Sequence, residues 1–78
     1  MQVIIHGREG VLFEGAAHAL SASNERGAFD LLPMHSRFVS TFTGELTLHL
    51  SGGRQQKFTL QSGVIRLDQN QAEVFVGI

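Results

Sequence analysis

Cysteine, tryptophan and tyrosine are absent from this 78-residue chain, and proline occurs once. Without cysteine the chain can form neither a disulfide framework nor a thiolate site, which suits a reducing compartment or support from a larger complex. The sequence also lacks any apolar stretch near the ~20 residues that cross a bilayer. It has no basic start followed by a long apolar segment. We therefore predict neither direct insertion into a membrane nor export.

An excess of charge of one sign is also missing. Six Lys and Arg residues stand against seven Asp and Glu residues, for a net charge of -1, and the basic residues are scattered singly along the chain. Binding to phosphate backbones needs a concentrated basic surface, so we predict no nucleic-acid partner. A chain of this length makes one domain, and its 42% of hydrophobic residues can build one core. We treat residues 1–78 as that single domain.

Alternation of apolar and polar residues dominates the segments between glycine-containing breaks, whereas helical spacing is hard to find. The clearest alternation is at residues 45–50. It predicts that the three leucines, Leu46, Leu48 and Leu50, face the core and that Glu45, Thr47 and His49 face the solvent. About eight short strands at regular intervals predict an all-β fold, an antiparallel sandwich or flattened barrel.

Turn residues divide these strands. We predict turns at residues 7–10, 23–27, 51–54, 62–63 and 69–71, and a break at Gly44 between strands 38–43 and 45–50. Gly52 and Gly53 are expected to supply the positive φ angles of a hairpin turn. The long run 11–21 is expected to bend near Gly15, with a switch between two sheets there.

Catalytic or metal-binding patterns are not found in the sequence. The four histidines, His6, His18, His35 and His49, have no spacing of three or four residues, and no cysteine can complete a zinc set. A triad of Ser36, His35 and Asp30 is rejected, because neighbours on an extended segment point in opposite directions. We predict no catalytic residue, no metal site and no cofactor. His18 and His49 are expected to face solvent.

Apolar residues are more numerous than one small core requires. Residues 3–5, Phe38, Phe42 and Phe75 either cap the ends of the core or present an apolar surface to a partner, and the pattern favours neither. Pro33 has no amide proton for a strand ladder, so the strand before it is expected to leave its sheet there. Residues 34–37 are then offered to a partner or to solvent.

Four sequence elements occur in an order and spacing that resemble one family. They are Gly-Val-Leu-Phe-Glu-Gly at 10–15, Gly-Ala-Phe-Asp-Leu-Leu-Pro-Met-His at 27–35, Thr-Gly-Glu-Leu at 43–46 and Gln-Ser-Gly-Val-Ile at 61–65. Together, across nearly all of the chain, they resemble the N-terminal domain of the ε subunit of F-type ATP synthases. The resemblance implies a sandwich of two sheets with about ten short strands.

The same resemblance implies a function and a set of contact residues. In the family this domain is a non-catalytic part of the rotor, at the foot of the central stalk. There it binds the γ subunit and the polar loops of the membrane c-ring. It is a subunit of a hetero-oligomer, peripheral on the cytoplasmic face of the bacterial inner membrane or the equivalent face in an organelle. The γ contacts correspond to His6, Gly7 and His35. The c-ring contacts correspond to Glu25, Arg26, Gly27, Ala28, Met34 and His35.

Departures from the family pattern affect the expected contacts. Met34 replaces the usual glycine, residues 36–37 replace Ala-Pro, and Ala28 stands where many relatives have a carboxylate, so packing is expected there in place of charge. His35 could instead fix its own turn by bonding a nearby carbonyl. Relatives continue into a two-helix C-terminal domain, which we do not expect in this chain. We therefore expect neither inhibition of hydrolysis nor nucleotide binding.

One alternative to the rotor function stays open. A free-standing β-sandwich could bind a peptide or a small ligand at an exposed sheet edge. A small hydrolase is disfavoured, because no nucleophile has a base within reach.

Overall fold

Seven strands account for most of the computed structural model, which describes residues 1–33 and 37–77. In chain order they are β1 (Gln2–His6), β2 (Val11–Ala16), β3 (Ala19–Asn24), β4 (Gly27–Leu31), β5 (Phe38–His49), β6 (Gln55–Asp68) and β7 (Gln71–Val76). A short 3-10 turn, Ser51–Gly53, joins β5 to β6. The described residues contain no α-helix, and the prediction of an all-β fold is confirmed.

The strands form one hydrogen-bonded sheet in the order β2-β1-β7-β6-β5-β3-β4. Neighbouring strands are antiparallel except β1 and β7, which run parallel. The purely antiparallel prediction missed this pair, because no local pattern shows that the first and last strands are neighbours. The described residues form seven strands, fewer than the ten that the resemblance implied. Of the eight predicted from alternation, four merge into β5 and β6, with 12 and 14 residues, while the run 11–21 divides into β2 and β3.

The sheet folds over a single core, so that different halves of β5 and β6 belong to different layers. β7 pairs with residues 63–68 of β6, whereas β3 pairs with residues 47–49 of β5. The register of β5 against β6 shifts between Thr43 and Gly44, at the predicted break. The chain bends there without leaving the ladder, which is how one sheet forms the predicted sandwich.

Aromatic contacts close the two layers on each other. Phe13 on β2 meets Phe58 in the first half of β6, with ring centroids 6.4 Å apart. Phe29 on β4 meets Phe38 at the start of β5, with ring centroids 5.5 Å apart. Both pairs join strands that are not neighbours in the sheet. They therefore pack one layer against the other.

The core is one cluster of buried hydrophobic side chains. It contains Val3, Ile5, Ala17, Leu20, Ala22, Leu31, Phe42, Leu46, Leu48, Ile65, Leu67, Ala72 and Val74. The predicted inward positions of Leu46 and Leu48 are confirmed. Thr47, predicted to face solvent, is buried, because Ser21 and Lys57 are its direct strand neighbours on either side.

Two predicted turns are confirmed. Gln69 and Asn70, between β6 and β7, both have positive φ, 51° and 62°, as a two-residue hairpin turn of the primed type requires. Gly52 and Gly53, between β5 and β6, have φ of 73° and 75°.

The predicted turn at residues 62–63 is wrong, because these residues lie inside β6. Gly63 is buried and pairs with Phe42 on β5 and Val76 on β7. A Cβ added to Gly63 would clash with the carbonyl oxygen of Phe75 and lie 2.8 Å from Phe42 Cε1. Glycine is needed here for a close approach of neighbouring strands, not for a change of direction.

The run 11–21 is interrupted where the chain changes layers. The interruption is at Ala17 and His18, two residues beyond the predicted bend at Gly15. The Ala17 amide donates to the Met1 carbonyl at 2.8 Å, and the His18 amide donates to the His49 carbonyl at 2.7 Å. These neighbouring residues thus bond to opposite layers. The chain changes layers as predicted, but at residues 17–18 and not at Gly15.

Candidate functional site

The predicted contact residues that the structure describes lie on two surfaces. His6 ends β1 and Gly7 follows it, while residues 25–28 form the turn between β3 and β4 and the start of β4. Met34 and His35 lie outside the described residues, so their contacts stay predictions.

The turn between β3 and β4 borders a groove of about 490 Å³. Residues 24–29 line it on one side and residues 38–41 on the other. In the part of the chain that the structure describes, β6 is the only strand paired with residues 38–46 of β5. The groove therefore runs beside an open strand edge. It contains all four described residues that the resemblance assigned to the c-ring.

Two contacts hold the tip of the β3–β4 hairpin against β5. The Nδ2 group of Asn24 donates to Ser40 Oγ at 3.0 Å, while Asn24 Oδ1 accepts from the backbone N–H of Arg26 at 2.8 Å. The ring of Phe29 packs against that of Phe38. Asn24 thus closes its own turn and ties the turn to β5, so both walls of the groove are fixed.

The second surface, which we call the outer face, is the solvent side of β1, β7, the second half of β6 and the first half of β5. Its side chains form rows across the strands. One row is Ile4, Glu73, Arg66 and Val39, and the next is His6, Phe75, Val64 and Thr41. With strands ~4.8 Å apart, three intervals place His6 about 14 Å from Thr41. Val39 and Thr41 also line the groove, so the two surfaces adjoin along β5.

The outer face carries two of the apolar residues that the sequence left unassigned, Ile4 and Phe75, together with Val39 and Val64. Ile4, Val64 and Phe75 are half-buried, and Val39 is 67% exposed. Phe42, by contrast, is fully buried in the core. Val3, Ile5 and Phe42 thus belong to the core, and a partner for the half-buried residues stays a prediction.

A charged cluster lies in the middle of the outer face. Arg66 Nη2 donates to Glu73 Oε1, and His6 Nε2 donates to Glu73 Oε2 at 3.2 Å. The Arg66 guanidinium and then the His6 imidazole, both hydrogen-bonded to Glu73, hold the pKa of that carboxyl below its ordinary value of 4.5. The His6 ring also stacks on Phe75, with ring centroids 4.9 Å apart and planes 9° apart. The imidazole is therefore held in both position and plane.

The loop after β1 is closed locally. The Gly7 amide donates to the Gly10 carbonyl at 2.8 Å. A Cβ on Gly7 would lie 3.0 Å from Leu12 Cγ, so the exposed side chain of Leu12 packs over this glycine. Arg8 Nη2 donates to the Gly77 carbonyl at 3.3 Å. The segment next to His6 is thereby joined to the end of β7.

A chain of side-chain hydrogen bonds crosses the other layer. Gln55 Nε2 donates to His49 Nδ1 at 3.4 Å, His49 Nε2 donates to Ser21 Oγ at 2.7 Å, and Ser21 Oγ donates to Asp30 Oδ1 at 2.6 Å. Ser21 therefore has a histidine within hydrogen-bond distance, which corrects the expectation that no nucleophile has a base within reach. In a nucleophilic triad the carboxylate orients the histidine, whereas here Asp30 holds the serine proton. The chain ties β4, β3, β5 and β6 together. His49 is thus half-buried and bonded, which corrects its predicted solvent-facing position.

The structure places no group of three or more His, Cys, Asp or Glu side chains for metal binding among residues 1–33 and 37–77. Nor does this part of the chain contain a helix that is long and apolar enough to cross a membrane.

Sequence reasoning missed Arg66 and Glu73, although a signal for this pair was present. Counting back from the turn at residues 69–70 places Arg66 directly opposite Glu73, and opposite charges at directly paired positions attract. No local signal places His6 beside them, because it is 67 residues from Glu73 in the sequence. The bonds between Ser21, Asp30 and His49 depend in the same way on strand pairing.

Comparisons with known proteins agree with each other. Residues 1–77 match the family described as ATP synthase, Delta/Epsilon chain, beta-sandwich domain. A curated relative, an ATP synthase epsilon chain from a Nitratiruptor species, is 28% identical over 69 residues, covering 87% of this chain and 54% of the relative.

Two solved structures share the fold. One is a chain of the Euglena gracilis mitochondrial ATP synthase, OSCP/F1/c-ring, with a TM-score of 0.88 at 13% identity over 95% of this chain and 48% of that one. The other is a chain of the Tetrahymena thermophila mitochondrial ATP synthase central stalk/c-ring, with a TM-score of 0.84 at 12% identity over all of this chain and 63% of that one. The present chain thus spans about half to two thirds of the length of these relatives.

Proposed function

Because the chain belongs to the family of β-sandwich domains of ATP synthase δ/ε chains, we propose that it is a non-catalytic rotor component of an F-type ATP synthase. In this proposal it is the ε-type subunit of the central stalk. It joins the γ subunit to the membrane c-ring and so couples ion flow to ATP synthesis or hydrolysis. It works as one domain in a hetero-oligomer, peripheral on the cytoplasmic face of a bacterial inner membrane or the equivalent organelle face.

The observation that carries the proposal is the arrangement of the two surfaces on one sheet. The groove with residues 25–28 is proposed to contact the c-ring, and the outer face with His6 and Gly7 is proposed to contact γ. The surfaces adjoin along β5. The strands of the outer face, β1, β7, β6 and β5, are each hydrogen-bonded to the next. A laddered sheet resists shear, because sliding would break many hydrogen bonds at once. This suits a part that transmits torque.

A single substitution in the groove tests the c-ring contact. Ala28 is exposed and lines the groove, so Ala28→Arg should obstruct it while leaving the core intact. In the complex reconstituted in vesicles, we expect ATP hydrolysis to continue and ATP-driven ion pumping to fall several-fold. Thr59→Arg is the matched control, because Thr59 is also exposed and lies on β6 outside the lining of the groove. Equal pumping by the two variants would contradict the c-ring assignment.

The open edge of β5 favours a second candidate, a free-standing module that binds an extended peptide there. A peptide could pair with residues 38–41, whose side toward the groove has no strand neighbour among the described residues. Purification of the natural protein from solubilised membranes separates the two. Recovery with γ and the c-ring supports the rotor, whereas recovery without either supports the module.

A further inference from the structure

Two contacts fix the orientation of the His6 imidazole. Stacking on Phe75 sets the plane of the ring, and the bond to Glu73 sets the direction of Nε2. About a third of the His6 side chain, 35%, remains exposed. The ring is therefore presented on the outer face in one defined pose.

The proton of the neutral imidazole is also fixed. Arg66, which can only donate, occupies Oε1 of Glu73, and the lowered pKa of this carboxyl keeps it ionised and accepting. His6 must then donate from Nε2, which leaves the lone pair on Nδ1. No hydrogen bond to Nδ1 is found within the described part of the chain.

We propose that Glu73 and Arg66 are positioning residues that keep the proton of His6 on Nε2 and so present Nδ1 as a hydrogen-bond acceptor to an N–H or O–H donor on the γ subunit. This inference rests on the proposed function, because it takes His6 to be a γ contact. It deepens that function by naming the chemistry that the partner must carry. A carbonyl or carboxylate of γ at this point would face the Nδ1 lone pair and be repelled.

The geometry predicts that the substitution Glu73→Gln, which replaces one carboxylate oxygen by an NH2 group, moves the His6 proton from Nε2 to Nδ1. In Glu73→Gln the amide has one acceptor and one donor end. Arg66 needs the acceptor, so the amide NH2 group is left to face His6 Nε2. Nε2 must then accept, and the proton must move to Nδ1. Removing Arg66 as well frees the amide to turn, so the double variant Arg66→Ala, Glu73→Gln should lose the preference.

Nitrogen-15 NMR of the full chain measures this directly, because protonated and unprotonated ring nitrogens have well-separated shifts. At about pH 8, where an ordinary histidine is neutral, we expect His6 to be protonated at Nε2 in the wild type and at Nδ1 in Glu73→Gln. The double variant should show averaged shifts. A wild-type proton on Nδ1, or a Glu73→Gln spectrum like that of the wild type, would overturn the inference. The wild-type spectrum tests the inference even if a variant does not fold.

Binding to γ tests the consequence with two substitutions of His6. Asparagine can place an amide oxygen near the position of Nδ1, whereas glutamine reaches toward the position of Nε2. We expect His6→Asn to bind γ nearly as well as the wild type and His6→Gln to bind about tenfold more weakly, the effect of one lost hydrogen bond. Glu73→Gln should weaken binding as His6→Gln does, and the added Arg66→Ala should restore part of it.

The outcomes separate the inference from the function it rests on. If the wild type binds γ and the two His6 variants bind equally, the role of Nδ1 is wrong and the rotor function stands. If the wild type does not bind γ, the rotor function fails, and with it the partner named here, whatever tautomer the NMR shows.

Discussion

Adding one methyl group at Gly63 should strongly destabilise the fold. Gly63 lies in the strand ladder between Phe42 and Val76, and a Cβ there would clash with the Phe75 carbonyl oxygen. A flexible side chain could move aside, but this oxygen belongs to the backbone of β7. Relief requires β6 and β7 to separate or Phe42 to leave its place in the core. Either movement disturbs buried contacts on three strands.

The expected loss in the free energy of unfolding of Gly63→Ala is about 3 kcal/mol, the upper end of the usual range for overpacking, because backbone must move. A chain of 78 residues has a total stability of about 4–12 kcal/mol. The substitution thus removes a quarter or more of it. In a domain of this size that corresponds to a melting temperature lower by about 12–24 °C.

Thermal melts followed by circular dichroism measure the change, with Gly15→Ala as the matched control. Gly15 also lies in a strand, but the nearest atom to an added Cβ is Phe13 Cζ at 3.4 Å, an ordinary contact. We expect Gly15→Ala to be neutral or slightly stabilising, because alanine loses less backbone entropy on folding. If Gly63→Ala melts within about 3 °C of Gly15→Ala, the close approach of the strands is not as the structure shows it.

Two further predictions concern the polar networks. The wild type should lose stability as the pH falls from 4.5 through the lowered pKa of Glu73, because the bonds to Arg66 need the ionised carboxylate. Urea titrations at about pH 7 and pH 3 measure this loss in the free energy of unfolding. The loss should be smaller for Glu73→Gln than for the wild type, and equal losses would contradict this reasoning. Ser21→Ala should cost about 1 kcal/mol, because it removes the link between His49 and Asp30. In guanidinium titrations Ser21→Thr, which keeps a hydroxyl, should lie between Ser21→Ala and the wild type.

The all-β class and several core positions could be predicted because they depend on local patterns. Alternation at residues 45–50 predicts which leucines face the core, and the pairs Gly52-Gly53 and Gln69-Asn70 lie at turns that were predicted from their composition. Of the residues that line the groove, only residues 25–28 were identified by resemblance to a family, and the structure brings them together with residues 38–41 of β5. That these residues contact the c-ring stays a prediction.

The features that the sequence did not reveal are those that depend on distant neighbours. Ser62-Gly63 has the composition of a turn, and only the approach of β7 shows why glycine is needed inside a strand. His18 is not a residue type that marks the end of a strand. The chain changes layers there because backbone groups of residues 17–18 bond to Met1 and His49. The pose of His6 depends on a strand at the opposite end of the chain.

The parallel pairing of β1 with β7 bears on how the protein is made. Residues 2–6 lie beside residues 71–75, so β1 gains this neighbour only after residues 7–70 have been synthesised. At about 5–20 residues per second that synthesis takes several seconds, far longer than a hairpin takes to form. Meanwhile β1 can pair only with β2, and its apolar residues Val3 and Ile5 stay uncovered. The nascent polypeptide therefore exposes an unpaired apolar strand edge that a chaperone can shield until β7 has emerged.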